Sequence, residues 1–266
     1  MNKIEVSIIM GVYNCEDTID EAIQSILDQT FTNWEFIICD DCSTDNTYQK
    51  VQKYVDKYPD KIFLIKNEKN SKLAASLNHC LKYARGKYIA RMDGDDISIK
   101  TRFERQVKFL DEHPEYSVVG SNFIPFNKKD IGITKVPEKP TKDTLKLFSP
   151  YVHATIMMRK EVYDDLGGYR VCKETQRCED ADLWFRFYHR GYKGYNIQEP
   201  LYKVREDMDA FKRRKFRFGL QLMKVSVRGF KLLDFPKYYY LFLLKPLLAS
   251  FLPAPVMKIY HIARSK

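Results

Sequence analysis

The chain has 266 residues, 44% of them hydrophobic and 30% charged, with a formal net charge of +10. That size supports one or two domains with a full apolar core and excludes a disordered chain or a small domain that needs covalent staples. Six cysteines without small-domain disulfide spacing, and an opening apolar run too short for a signal peptide, point to a chain made and kept in the reducing cytosol.

Taken in chain order, Glu5–Val12 reads as a buried strand, and Thr18–Gln29 places Ile19, Ala22, Ile23 and Ile26 on one helical face. Trp34–Cys39 is a second strand, and Ser43 or Thr44 is positioned to cap a helix containing Val51, Tyr54 and Val55. Ile62–Ile65 is a third strand, Ser71 opens a helix that closes near Gly86, and Tyr88–Arg91 is a fourth strand. This alternation predicts a parallel sheet with helices on both faces, a nucleotide-binding half of Rossmann type. Beyond residue 96 the rhythm changes. A polar helix is expected over Lys100–Glu112, antiparallel strands over Val118–Phe126 and Gly132–Val136, a loop at Pro137–Pro140, a strand over Val152–Met158 and a helix over Asp180–Arg190.

The positive charge lies at the end of the chain. Residues 203–266 hold 15 basic and 4 acidic side chains, net +11, whereas residues 1–202 are net −1. The asymmetry suggests an anionic partner: lipid, nucleic acid or a diphosphate. The plainer reading is a solvated basic helix. Tyr238–Leu244 is apolar, but Lys245 and Pro246 interrupt it, so the segment fails as a membrane span. Basic residues beside Tyr, Phe and Leu fit a segment lying in a membrane interface, with Lys212, Arg213, Arg214, Lys215 and Arg217 drawn to anionic lipid. No helix-turn-helix, zinc-ligand or aromatic RNA-binding pattern accompanies the charge, which argues against nucleic acid.

Ligands of open parallel sheets bind beyond the carboxyl ends of the strands. Asp40 and Asp41 follow the second strand, and Asp93, Asp95 and Asp96 follow the fourth. Converging carboxylates repel unless a cation or donors compensate, and short Asp-x-Asp spacing suits magnesium or manganese. Solvated turn and cap aspartates are the plain alternative. No phosphate-binding glycine loop exists; the first turn reads Gly11-Val12-Tyr13-Asn14. Cys39-Asp-Asp-Cys42 has the C-x-x-C spacing, but two acids between the sulfurs disfavour the thiolate, and both cysteines read as packing residues.

Val6–Asn14, Ser25–Glu35, Asp40–Thr47 and Ala90–Asp96 together resemble family-2 glycosyltransferases of the GT-A fold, of the bacterial exopolysaccharide and biofilm-matrix type. His153–Arg159, Leu166–Arg170 and Cys178–Arg186 continue the resemblance over roughly residues 4–205, and Tyr202–Arg214 also looks like that subgroup. The resemblance implies an α/β GT-A domain over 1–205 with a mixed central sheet, followed by a basic, helical tail over 206–266. It implies that Gly11 and Tyr13 line the base pocket, Asp41 accepts from the base (uracil in the usual member), and Asp93 meets the ribose side of a UDP-sugar. Asp95 is the implied ligand of a divalent metal, Mn2+ or Mg2+, with Asp96 sharing or taking over that role. Asp180 is the implied catalytic base of an inverting transfer, with Glu179, Trp184 and Arg186 shaping the acceptor side. His153 and Arg159 precede that side with roles less defined, a structural one being open for His153. The acceptor suggested is a saccharide on a lipid diphosphate, met by a cytoplasmic enzyme held peripherally at the inner face of the cell membrane.

Two rival readings fit the residues less well. A partner-binding protein that merely keeps the fold has no need for Asp41, Asp93, Asp95 and Asp180 together. A nucleotidyltransferase usually needs a glycine- and base-rich phosphate loop near the first strand, and none is present.

Overall fold

The structure, a computed structural model, describes residues 3–127, 129–130, 132–206 and 216–243. Four parallel strands, β1 (Val6–Val12), β2 (Trp34–Asp40), β3 (Ile62–Lys66) and β4 (Tyr88–Arg91), form its first half in the order β3-β2-β1-β4. Helices α1 (Ile19–Leu27), α2 (Thr47–Lys57) and α3 (Leu73–Leu81) make the crossovers. The strands are buried on both faces, and the alternation of side chains divides them between two cores. Ile8, Met10, Phe36 and Ile38 face α1 and α2, whose Ile23, Ile26 and Val51 join the same cluster. Ile9, Ile37 and Ile89 face the other way, onto Leu77 and Cys80 of α3.

One buried charge ties this half together. Glu35 is 1% exposed and accepts from Ser7 Oγ at 2.6 Å, from the Arg85 amide at 2.8 Å and from the Arg85 guanidinium at 2.8 and 2.5 Å. The carboxylate links β1, β2 and the turn into β4, and every one of these contacts is charge-assisted.

After β4 come the short β5 (Ile97–Ser98), α4 (Arg102–Glu112), β6 (Val118–Asn127), β7 (Lys129–Asp130), β8 (Met157–Arg159), α5 (Lys160–Leu166), α6 (Glu179–His189) and β9 (Gly194–Arg205). The sheet continues from β4 through β8, β6 and β9 to β5, with β8 antiparallel to both β4 and β6 and with β6 parallel to β9. The whole is a mixed sheet with its parallel half intact.

Two expected strands are reduced. Gly132–Val136 pairs with the β6 backbone through an isolated bridge between Phe123 and Thr134 and donates the Val136 amide to Asn122 Oδ1 at 2.9 Å, while β6 spends most of its length on β9. The Val152–Met158 segment begins with a 3-10 turn, His153–Thr155, and only Met157–Arg159 pairs as strand. Conversely, β9 carries a weak sequence signal. Its register jumps from Ile197 opposite Ser121 to Pro200 opposite Asn122, leaving Gln198 and Glu199 as an irregularity that breaks the alternation.

Helix α7 (Phe216–Leu232) and a final 3-10 turn (Lys237–Leu243) lie against α6. Phe185 and Cys178 pack there with Val225, Phe230, Leu233, Phe235 and Leu243 as a third apolar cluster. The helices approach so closely that a Cβ on Gly229 would come within 2.1 Å of the Phe185 ring. The basic cluster 212–215 and residues 244–266 lie outside the described residues, while Tyr238, Leu241 and Phe242 are exposed.

Candidate active site

Because β1, β2 and β4 are parallel neighbours, their carboxyl ends open on one edge of the sheet. The turns that leave them are laced together. The Asn14 amide donates to Ser43 Oγ at 3.1 Å, and the Thr44 amide donates to Asn14 Oδ1 at 2.9 Å. Asp40 accepts from the Ser43 amide, so Ser43 and Thr44 fasten this turn, and α2 starts later, at Thr47.

Asp41 is buried and organises the segment before α3. Its Oδ1 accepts from Asn67 Nδ2 at 2.8 Å and from the Ser71 amide at 2.7 Å, and its Oδ2 accepts from the Lys72 amide at 2.9 Å. A carboxylate has about four acceptor positions. Three are used here, which leaves one on Oδ2. Gly11 sits against α3, where a Cβ would press on Ser76 at 3.0 Å and Leu73 at 3.1 Å, so glycine keeps the floor of this edge low. Tyr13 stands exposed beside it. Cys39 and Cys42 both direct their sulfurs at Asn67, in keeping with packing roles.

Asp93, Asp95 and Asp96 bring one carboxylate oxygen each within 4.8 Å of one another. Asp95 is exposed, Asp93 half-buried and Asp96 buried. The Arg205 amide donates to Asp96 Oδ1 at 2.8 Å, and the Arg205 side chain donates to the Asp95 carbonyl at 2.7 Å. The Asp93 amide donates to Tyr202 Oη at 3.1 Å. Burial, then repulsion from Asp93, raises the Asp95 carboxyl above its ordinary range, and burial with Asp93 and Asp95 raises Asp96 further. Three hard oxygen donors, with Asp95 and Asp96 raised by burial and by their acidic neighbours, fit a divalent cation, which would relieve the repulsion.

The charge already present to offset these acids is Arg91. It is 3% exposed at the end of β4 and is ion-paired with Asp93. Burial opposes its charge, yet Asp93 and neighbouring groups hold its pKa above the ordinary arginine value. Its field lowers the pKa of Asp95, Asp96, Glu179 and Asp180, so both groups of acids lie within its reach. A second buried guanidinium, Arg102, donates to the Arg91 carbonyl at 2.8 Å and to those of Ala154 and Ile156, and burial brings it down to about 10.

Asp180 is half-buried in the first turn of α6, and Glu179 beside it is buried. Burial lifts the Asp180 carboxyl, against the Ala181 amide and Arg91. Burial likewise lifts Glu179. Asp180 lines a cleft of about 260 Å³ between α6, the 145–149 segment and α7.

Of the residues expected on the acceptor side, Arg186 sits elsewhere, and Trp184 is a buried wall of the Asp180 cleft. Arg186 does not line that cleft. Its guanidinium is spent on Asp182 at 2.8 Å and on the carbonyls of Leu166 and Gly168, where it clamps α6 to the end of α5. Trp184 is fully buried against Tyr151 and Phe187 and reaches the cleft only as its inner wall. Helical spacing explains both: Trp184, four residues on, shares the Asp180 face and lines the same cleft, whereas Arg186, six residues on, falls on another face, toward α5. His153 is half-buried and bonded to Tyr169 Oη at 2.8 Å, and its removal from water holds it well below the usual histidine range, so it is neutral. Arg159 donates to the carbonyls of Leu110 and Tyr116 and ties β8 to α4. Arg91, Asn67, Tyr202 and Arg205 were not singled out from the sequence. The signal available was only for Arg91: a charge in the last position of a wholly buried strand.

Residues 7–167 match the family described as glycosyl transferase family 2. The chain belongs to glycosyl transferase family 2. This family-2 glycosyltransferase is 48% identical over 261 residues to a Bacillus subtilis (strain 168) protein named as the glycosyltransferase EpsE, covering 98% of this chain and 94% of that one. It is 34% identical over 201 residues to the Escherichia coli UDP-Glc:alpha-D-GlcNAc-diphosphoundecaprenol beta-1,3-glucosyltransferase WfaP, covering 75% and 77% of the two chains. Among solved structures, the mannosyltransferase PcManGT of Pyrobaculum calidifontis, in complex with GDP-Man and Mn2+, superposes with a TM-score of 0.67 at 19% identity, covering 97% of this chain and 79% of that one. The fold is GT-A, as the mixed sheet and its acidic edge require.

Arg91→Met leaves Asp93, Asp95 and Asp96 without their counter-charge. Breaking a buried pair from one side costs about 3 kcal/mol, and denaturant melts should show a loss of that order at neutral pH. The carboxyls then bind protons more tightly in the folded state than in the unfolded one. The deficit should therefore shrink as pH falls and persist as pH rises; a deficit independent of pH would remove Arg91 from this role.

Proposed function

We propose that this family-2 glycosyltransferase moves a sugar from a nucleoside-diphosphate donor, first of all a UDP-sugar, to a hydroxyl of a saccharide carried on a lipid diphosphate, with inversion, in the building of an exopolysaccharide. The observation that carries the reading is Asp180, a carboxylate with a raised pKa lining a cleft, within the field of the same buried Arg91 that pairs with the acidic edge of the sheet. The relative WfaP, named for transfer from UDP-Glc to a diphosphoundecaprenol-linked sugar, supports the donor and acceptor classes.

Asp180 takes the proton of the acceptor hydroxyl as its oxygen attacks the anomeric carbon. The bond from that carbon to the diphosphate breaks on the opposite face, and a single displacement inverts the configuration. A base works best with a pKa near the working pH, and burial moves Asp180 in that direction. Glu179 adds negative charge beside it. Asp41 offers its remaining acceptor position to the base of the nucleotide, over a floor kept low by Gly11 and flanked by Tyr13. Asp93 stands on the ribose side. Asp95, with Asp96 behind it, would hold Mn2+ or Mg2+, which when bound neutralises charge on the departing diphosphate. No helix among the described residues is long and apolar enough to cross a membrane. Membrane contact is proposed instead through the exposed Tyr238 and Leu241 and the basic residues of 206–266, at the inner face of the cell membrane.

Asp180→Asn should slow transfer by about 10²–10⁴-fold with melting temperature and UDP affinity unchanged. The base works only when deprotonated, so wild-type rate should fall as pH drops, on a limb lying above the ordinary Asp value of about 3.9. A folded Asp180→Asn protein with near wild-type transfer would move the base to Glu179 or Asp182.

UDP should bind more weakly when manganese is replaced by chelator, and Asp95→Ala should abolish that difference in calorimetry. Equal affinity with and without the ion would dismiss the metal role.

On vesicles containing anionic lipid, Tyr238→Ser with Leu241→Glu should reduce flotation several-fold without lowering the melting temperature, and salt should weaken wild-type binding. Unaltered flotation would leave the exposed face as surface only.

A further inference from the structure

The cleft that Asp180 lines is mostly apolar. Its walls are Leu145 from the 142–149 segment, Trp184 and Phe185 from α6, Leu222 and Phe230 from α7, and Phe242 from the final turn. Its charged lining is sparse and mixed. Asp180 is the acid among the described lining residues, and Lys146 and Arg177 are the bases. Pockets of this make-up, apolar with a few polar groups, are those that hold small ligands.

We infer that this cleft binds the lipid-diphosphate end of the acceptor: an apolar chain along Leu222, Phe230 and Phe242, with its diphosphate at Arg177 and Lys146 and its sugar hydroxyl at Asp180. The inference rests on the acceptor reading given above and assigns it a place. Three observations support it. First, the cleft offers both kinds of charge: Arg177 and Lys146, the latter also paired with Asp143 at 3.7 Å, for an anion, and Asp180 for a hydroxyl. Asp180 repels a diphosphate from its own position and accepts a hydroxyl, while Arg177 is exposed three residues before it. Lys146 is held in place by Tyr239, whose hydroxyl accepts from Nζ at 3.0 Å and whose ring lies 4.3 Å beneath it. Second, Trp184 is fully buried in the cleft wall, and its indole Nε1 has no partner among the described residues. A buried indole N–H usually finds an acceptor. Third, the cleft is continuous with the exposed apolar face. Phe242 belongs to both, 37% exposed and one residue from Leu241, which is 71% exposed. An apolar chain drawn from a membrane would pass from that face into the cleft without crossing a polar surface.

The cleft contains one of the chain's two tryptophans, which supplies a direct signal. In a full-length Trp34→Phe protein, Trp184 emission is followed with decyl diphosphate, decanol and inorganic diphosphate, in chelator so that the acidic edge cannot take up a metal diphosphate. Decyl diphosphate should shift the emission saturably, decanol more weakly and inorganic diphosphate not at all. Arg177→Gln should weaken decyl diphosphate about fivefold and leave decanol unchanged. Ser226→Phe, which fills the cleft from α7, should weaken both at least tenfold; Leu222→Asn provides the same comparison if Ser226→Phe melts early. No saturable shift with decyl diphosphate overturns the inference and leaves the cleft to this chain's own residues 244–266. So does equal affinity in the filled variant. Failure of the acceptor reading has a different signature: decyl diphosphate binds, and no lipid-diphosphate saccharide receives sugar.

Discussion

Five carboxylates, Asp93, Asp95, Asp96, Glu179 and Asp180, share the field of one buried guanidinium. Arg91 is the residue on which the arrangement depends. Its position is enforced from several directions. The strand β4 that carries it is paired on both sides, by β1 and β8, and Arg102 holds its carbonyl. A cation fixed this firmly can offset acids that would otherwise be protonated or pushed apart. The residual repulsion, visible in the raised Asp95 and Asp96 carboxyls, is what makes the acidic edge suited to a divalent ion.

The two halves of the molecule divide the chemistry. The parallel half ends on turns that are bonded to one another through Asn14, Ser43, Thr44 and Asp41, so this edge of the sheet is held in one arrangement. The second half contributes through β9 and α6. Arg205, the last residue of β9, braces Asp95 and Asp96, and the first turn of α6 presents Asp180. Helix α7 then closes the far side of the cleft against Phe185. The basic end of the chain thus contributes to the wall beside Asp180 as well as to the outer surface.

Much of this was legible in the amino-acid order. The elements over residues 5–91 were recoverable to within a few residues, because strands buried on both faces and amphipathic helices carry strong periodic signals. The aspartates were recoverable too, since position at a strand end is a property of sequence once the strand is known. Strand β9 was not, because Gln198, Glu199 and Pro200 interrupt its pattern at an irregularity that only the partner β6 accommodates.

The sequence by itself determined the parallel half, the acidic strand ends and membership of a glycosyltransferase family, through local periodicity and ordered motifs. Tertiary structure alone decided which polar residues serve the site and which serve the scaffold. Trp184 and Arg186 lie within one helical turn or two of Asp180, yet one forms the buried wall of its cleft and the other clamps α5. Asn67, Tyr202 and Arg205 lie far from the motifs in sequence and meet them in space. The physical reason is the same in each case. A side chain's role is set by the face its element presents and by the partners waiting there, and neither is encoded within the few residues that surround it.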